Sequence, residues 1–306
     1  MEESYYKKYE PIDGKWYIKE LLGEGSYGKV FRIEREDISG KKSAALKAIT
    51  IPQSKTEIST MRASLRDEQS VKEYYKDIAG KLLNEFNLMA KLKGNSNIVS
   101  YEDHNIEPHE DGIGYDILIR MELLTPLSEY FENGIDEKDV IRLGIDICKA
   151  LEICQQYEIV HRDIKPENIF VSQSGSFKLG DFGVAKTMKS IETVMTKAGM
   201  YTYMAPELYK GEKSGASVDI YSLGMVMYQL LNYNREPFLP TPPERFTFEQ
   251  KENALMRRMK GDGLPNPCQA SEDLSKVILK ACSFNPNERY KSPSEMYDAL
   301  NRIQDK

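Results

Sequence analysis

Between positions 163 and 181 the chain supplies Asp163, Lys165, Asn168 and Asp181. The first three belong to His161-Arg162-Asp163-Ile164-Lys165-Pro166-Glu167-Asn168, the last to Asp181-Phe182-Gly183. Two carboxylates and a carboxamide supply hard oxygen ligands, and an ammonium stands beside them. So few oxygen ligands suit Mg²⁺, which keeps waters and substrate phosphates as its remaining ligands. Either motif alone says little, because Asp and Gly cluster in turns. Both together, in this order and spacing, are specific.

A second group could handle phosphate. Gly23-Glu24-Gly25-Ser26-Tyr27-Gly28-Lys29-Val30 has the spacing G-x-G-x-x-G-x-V. A dinucleotide-binding turn would need a helix straight after the glycines, whereas Val30-Phe31-Arg32-Ile33 continues as a strand. The stretch therefore reads as a hairpin lid whose backbone N–H groups approach phosphate oxygens, with Val30 covering an adenine ring. Lys47 stands inside the apolar run Ala44 to Ile49. A buried ammonium needs a partner; a solvent-facing lysine is the alternative. Glu85 is the candidate partner. It follows Leu82 by three residues and precedes Met89 by four, so it shares their helix face, where a lone carboxylate is costly. Lys81, one turn earlier, is the local alternative.

These residues need elements to position them. Strand patterns cover 16–22, 30–33 and 43–51, then 98–104 and 115–122. Val71, Tyr75, Ile78, Leu82, Phe86 and Met89 recur at helical steps and predict a long helix over about 70–93. From residue 137 onward the pattern is helical, over 137–157, 217–232, 248–260, 271–283 and 293–303. A β-rich first third before a helical remainder predicts two lobes with a cleft between them. The polar stretch 52–69 reads as a mobile insertion, and residues 1–11 as a tail.

Composition narrows the classes. The 306 residues are 40% hydrophobic and 29% charged, ordinary for a globular protein. A net charge of −6 and a pI of 5.4 argue against a nucleic-acid or anionic-membrane partner. The N-terminus lacks the apolar core of a signal peptide, and no apolar run approaches a membrane span. Cys148, Cys154, Cys268 and Cys282 form no C-x-x-C, so they read as buried thiols rather than as a zinc site or disulfide framework.

Taken in order, the glycine loop, Lys47, Glu85, His161 to Asn168, Asp181-Phe182-Gly183 and Ala205-Pro206-Glu207 resemble a eukaryotic-type protein kinase catalytic domain. The flavour is that of bacterial members of its serine/threonine branch. Asp219 in Ser217 to Gly224, and Arg289 after Asn285-Pro286-Asn287-Glu288, match as well. The resemblance implies a two-lobed α+β fold over about 12–304. A β-rich N-lobe with one long helix (about 12–121), a hinge (122–126) and a mainly helical C-lobe (127–304) would make it up.

It also implies roles. ATP would lie against Leu22, Gly23, Glu24, Gly25, Ser26, Gly28 and Val30. Ala45 and Phe170 would sandwich its adenine, beside the gatekeeper Met121 and the backbone of Glu122 and Leu124. Lys47, held by Glu85, would contact the α- and β-phosphates, and Asn168 and Asp181 would hold Mg²⁺. Asp163 would accept the proton of the substrate hydroxyl, while Lys165 stabilises the moving phosphoryl group. Lys165 also marks the serine/threonine branch. Protein substrates would be the partners, with self-association for autophosphorylation. The implied compartment is the cytoplasm, for this chain alone or as part of a longer anchored protein.

The segment from Asp181 to Glu207 carries the regulatory expectations. Thr196 is the expected phosphosite, with Thr193, Ser190 and Thr187 as alternatives, and Arg162 the residue that captures its phosphate. Met200 stands where this branch usually has threonine, whose hydroxyl would bridge Asp163 and Lys165. Methionine has no O–H to give. A hydrogen bond to a charged group is worth about 1.5–3 kcal/mol, so its loss in the transition state would slow the reaction about 10- to 100-fold. An ATP-binding pseudokinase that acts as a scaffold is the alternative reading. The peptide platform implied by Ala205-Pro206-Glu207 weighs against a small-molecule kinase.

Overall fold

The computed structural model describes residues 3–25, 28–132, 134–182, 201–212 and 214–305. The chain falls into two compact units. The first takes the chain up to Gly94 and Val99–Leu124; the second takes Asn95–Ile98, Thr125–Asp181 and the C-terminal helices.

The first unit is a five-stranded antiparallel sheet with two helices. Its strands are β1 (Tyr17–Gly25), β2 (Gly28–Asp37), β3 (Gly40–Ile51), β4 (Tyr101–Pro108) and β5 (Tyr115–Met121), in the order β1-β2-β3-β5-β4. Helix α2 (Glu68–Lys91) is N-capped by Asp67, which accepts from the Ser70 N–H. Its stripe of Val71, Tyr75, Ile78, Leu82 and Phe86 is buried with Ile49, Ile117 and Ile119 of the sheet. Burying a side chain of that kind stabilises by about 1.5–3 kcal/mol, which is why the stripe was readable in the sequence.

Two stretches depart from their expected form. The polar stretch 52–69 contains a helix, α1 (Lys55–Leu65), capped by the Ser54 side chain. Its exposed faces are polar, but Ile58, Met61 and Leu65 return at helical spacing and pack on the same core. The N-terminal residues do not hang free either. Glu3–Tyr9 form a 3₁₀ helix whose Tyr6 is buried with Trp16, Phe31 and Ile33.

A buried carboxylate holds that N-terminal turn. Asp116, at the start of β5, has no exposed surface. It accepts from the hydroxyls of Tyr5 at 2.7 Å, Tyr9 at 2.6 Å and Thr50 at 2.6 Å. Lys8 Nζ lies 3.3 Å from Asp116 and His109 Nε2 3.4 Å. Burial alone would raise this carboxyl, but hydrogen bonds led by His109 and Thr50 outweigh it and hold Asp116 well below the carboxylate range.

The second unit is mainly helical. A small sheet joins β6 (Thr125–Pro126), β7 (Ile169–Val171) and β8 (Phe177–Leu179) in sequence order. The helices are α3 (Leu127–Tyr130), α4 (Glu137–Gln156), α5 (Pro206–Tyr209), α6 (Ser217–Leu230), α7 (Phe248–Lys260), α8 (Glu272–Ala281) and α9 (Pro293–Gln304). Helix α6 is apolar on nearly every face and buried from Val218 through Tyr228, so it is the central element of this unit. Helix α4 packs against α6, α9 and β8, and α8 against α6.

Glu207 and Arg289 form a bidentate ion pair, with N···O distances of 2.6 and 2.8 Å. Arg289 also donates to the carbonyls of Ser283, Ser217 and Phe284. Cys148, Cys154 and Cys282 are buried thiols, whereas Cys268 is exposed. Burial pushes the Cys154 and Cys282 thiols up to about 12. Among the described residues, no helix is long and apolar enough to cross a membrane.

Replacing Asp116 tests the N-terminal anchor. Asp116→Ala leaves buried hydroxyls without their acceptor and should lower stability at pH 7 by about 3 kcal/mol. Because the folded carboxyl titrates low, its contribution is full above the unfolded value of about 4 and is lost as pH falls below it. His109, raised by the same carboxylate, contributes in the opposite sense, below about pH 6.5. Urea denaturation of both proteins should therefore show a gap that narrows between about pH 5 and pH 3. A constant gap would rule the anchor out.

Candidate active site

The first unit gathers the residues expected to hold a nucleotide, and strand register does the gathering. In antiparallel sheets, residues directly opposite share a face, and alternate residues along a strand do too. Lys47 pairs with Val30 on β2 and with Ile119 on β5, while Ala45 pairs with Met121. Val30, Ala45, Lys47 and Met121 therefore stand on one face. Lys47 is buried rather than turned to solvent. After Met121 the chain leaves the sheet. The Glu122 N–H donates to the Ser100 carbonyl at 3.1 Å, and the Glu122 carboxylate accepts from the Ser100 N–H. Leu124 ends the unit.

Leu22, Gly23, Glu24 and Gly25 lie on β1 and Gly28 opens β2, with Gly25 paired to Gly28 at the hairpin end. Gly28 has a φ of +147°, and a Cβ there would stand 2.2 Å from the Ala48 carbonyl oxygen. Only glycine fits. Gly23 and Gly25 face open space. Ser26 lies outside the described residues, as does the side chain of Glu85, whose backbone is on α2. Lys81, the local alternative for Glu85, pairs with Asp77 at 2.7 Å.

The second unit gathers Arg162, Asp163, Lys165, Asn168, Phe170 and Asp181. A buried acid on α6 sets the loop. Asp219 accepts the backbone N–H of His161 at 2.8 Å and of Arg162 at 2.8 Å. Burial pushes the Asp219 carboxyl up; His161 and the two N–H groups pull the other way. Arg162 takes a left-handed φ of +64°, and Asp181 one of +57°. Such backbone is strained for non-glycine residues and persists only where surroundings impose it.

His161, which the sequence did not single out for a role, ties the two motifs together. Its Nδ1 accepts the Asp163 N–H at 3.3 Å, which leaves Nε2 to donate to the Gly180 carbonyl at 2.9 Å. Asn97 is another such residue. Its carboxamide donates to the Phe177 carbonyl at 3.0 Å, and its backbone carbonyl accepts the Leu179 N–H at 2.9 Å. Nothing in local sequence pattern marks Asn97.

Within the loop, two donors converge on one oxygen. Asn168 Nδ2 lies 3.0 Å from Asp163 Oδ2 and donates also to the Asp163 carbonyl at 2.7 Å. Lys165 Nζ lies 3.2 Å from the same Oδ2. With its amide hydrogens engaged, Asn168 has its carboxamide oxygen left to offer a cation. Among the described residues no three His, Cys, Asp or Glu side chains form a metal cluster. One carboxamide oxygen and one carboxylate, Asp181, fit an ion that takes most of its ligands from phosphate and water. Phe170 lies on β7, opposite Pro126 and Lys178. Thr196 and Met200 lie outside the described residues, with Thr187, Ser190 and Thr193.

Comparison with known proteins gives this arrangement its family. The protein kinase domain model matches residues 16–299. The chain belongs to the protein kinase family. It is 33% identical over 177 residues to the serine/threonine-protein kinase PknB of Mycobacterium tuberculosis, covering 56% of this chain and 27% of that protein. It is 31% identical over 231 residues to a probable serine/threonine-protein kinase of Clostridium perfringens, covering 74% of this chain and 32% of that one. Cyclin-dependent kinase-like 2 of Oryctolagus cuniculus is 32% identical over 222 residues. The chain thus spans about a third or less of these relatives' own length. The two-lobed α+β expectation holds, with its five-stranded sheet and helical second unit.

The glycine geometry gives a direct test. Gly28→Ala must strain the backbone and displace the Ala48 carbonyl, so it should destabilise the protein by about 1–3 kcal/mol. Gly25→Ala meets nothing and should leave the denaturation midpoint within error. Equal midpoints for the two variants would contradict the packing at Gly28.

Proposed function

We propose that this chain transfers the γ-phosphoryl group of Mg-ATP to serine and threonine hydroxyls of proteins. The observation that carries the reading is the loop in which Asn168 and Lys165 converge on Asp163 Oδ2. Asp163 would orient the incoming hydroxyl and take its proton as the oxygen attacks the γ-phosphorus. The bond from that phosphorus to the β–γ bridging oxygen breaks, and ADP departs. Lys165 would offset charge on the equatorial oxygens during transfer. Lys47, positioned by Glu85, would hold the α- and β-phosphates on the sheet face it shares with Val30 and Ala45. Asn168 and Asp181 would hold Mg²⁺, which when bound screens the phosphate oxygens from the incoming nucleophile.

Activation would run through Thr196, phosphorylated by a second copy and captured by Arg162. Arg162's left-handed backbone, fixed by Asp219, supports its role as a preset receiver. Met200 would lower the rate without touching the nucleotide or cation ligands.

Labelled phosphate transfer to a generic basic protein separates a kinase from a scaffold. Asp163→Asn should reduce kcat about 10²- to 10⁴-fold while ATP affinity stays the same. Met200→Thr should raise kcat about 10- to 100-fold at unchanged ATP affinity. Mass spectrometry after ATP incubation should find phosphate on Thr196. ATP binding with no transfer by either the chain or Met200→Thr would sink the catalytic reading and leave the scaffold.

A further inference from the structure

We infer that Arg258 is a positioning residue for the peptide-substrate platform, an assignment that rests on the phosphotransfer reading above. Arg258 lies on α7 with Ala254 and Met259 on the buried side, and is 3% exposed. A buried guanidinium has five donors and must place them. Its NH1 donates to the Met204 carbonyl at 2.9 Å and to the Tyr221 hydroxyl at 3.1 Å. Its NH2 donates to the Tyr201 carbonyl.

The neighbours of those carbonyls are held as well. The Thr202 hydroxyl donates to the buried Glu236 carboxylate at 3.2 Å, and the Ser222 hydroxyl donates to the Tyr203 carbonyl at 2.9 Å. Four consecutive residues, 201 to 204, are thus each fixed by a side chain from α6, α7 or the loop carrying Glu236. The segment has no helix or strand ladder of its own, so these bonds replace one. It runs directly into Ala205-Pro206-Glu207, where Arg289 clamps Glu207.

Among the described residues, Arg258 alone donates to the carbonyls at both ends of the segment. Lysine cannot reproduce that fork, since it is a point donor on a flexible stem. Glu236 is already paired with Lys251 at 3.5 Å, so its charge is partly offset. The platform is therefore set by backbone position rather than by an unpaired acid. Arg258 also borders a cavity of about 250 Å³ with Gly261, Leu264 and Phe284, so methionine fits at 258 without crowding.

The test compares wild type, Arg258→Met and Arg258→Lys by steady-state kinetics with a serine peptide, alongside amide hydrogen exchange. Arg258→Met should raise the peptide KM about tenfold, the worth of one or two hydrogen bonds. The ATP KM should not move and kcat should stay within about threefold; Arg258→Lys should fall between. Exchange over 201–208 should speed up while exchange over β1–β3 is unchanged. A peptide KM equal to wild type, or ATP and peptide KM rising together, overturns the assignment. Absence of transfer in wild type defeats the phosphotransfer reading instead. In that case unchanged exchange over 201–208 rejects the Arg258 tether, and faster exchange upholds it.

Discussion

The backbone turn at His161 and Arg162 in the second unit depends on one buried carboxylate. Asp219 sits on α6, the helix with the least exposure, and accepts two successive backbone N–H groups at 2.8 Å. Those N–H groups belong to residues that no helix or sheet can satisfy, because Arg162 has turned left-handed. Without the carboxylate both would lose their acceptor, and for the buried His161 N–H that is a loss of about 1–3 kcal/mol. With it, the strain at Arg162 is held, and the direction in which the chain delivers Asp163 is set. The helix must be apolar all round to sit deep enough to present that group, so the composition of α6 and the posture of the loop are one requirement.

The same solution recurs at three other places among the described residues. Arg289 answers carbonyls at Ser217, Ser283 and Phe284 while it pairs with Glu207. Arg258 answers carbonyls at Tyr201 and Met204. Asp116 answers hydroxyls from the N-terminal turn and from β3. In each case a charge that would be expensive alone is surrounded by several partners. An anion takes N–H or O–H donors, and a guanidinium takes carbonyls. The regular elements bury the charge, and the charge orders the segment that has no ladder.

What was legible in the sequence follows from this division. Helices α2, α4, α8 and α9 bury one face each and α6 is apolar nearly all round, so the sequence pattern showed them to within a few residues. The strands of the first sheet showed through alternation and turn residues, although β4 begins at Tyr101 rather than at 98. Helix α1 was missed because no residue in it is fully buried, and three partly buried side chains carry its packing. The N-terminal turn was missed because its burial is aromatic and its anchor is a single aspartate 107 and 111 positions away. Within the site, Asp163, Lys165, Asn168 and Asp181 were visible as types at a spacing. Their grip on one another was not, since Asp219 acts across 57 positions and Arg258 across 57 and 54. Distant polar partners leave no period to read.

The carboxamide at Asn168 shows why residue type matters more than charge count here. Its nitrogen end donates twice to Asp163, and its oxygen end is the proposed cation ligand. One planar group therefore ties the proposed proton acceptor to the proposed metal ligand. A carboxylate in the same place would offer only acceptors to Asp163 and set two anions side by side, which raises the proton affinity of one of them. A lysine would supply donors but no oxygen. An amide offers N–H donors on one side and an acceptor oxygen on the other. The loop needs both from one side chain, because the left-handed turn at Arg162 and the strand beginning at Ile169 leave it little chain in which to place a second.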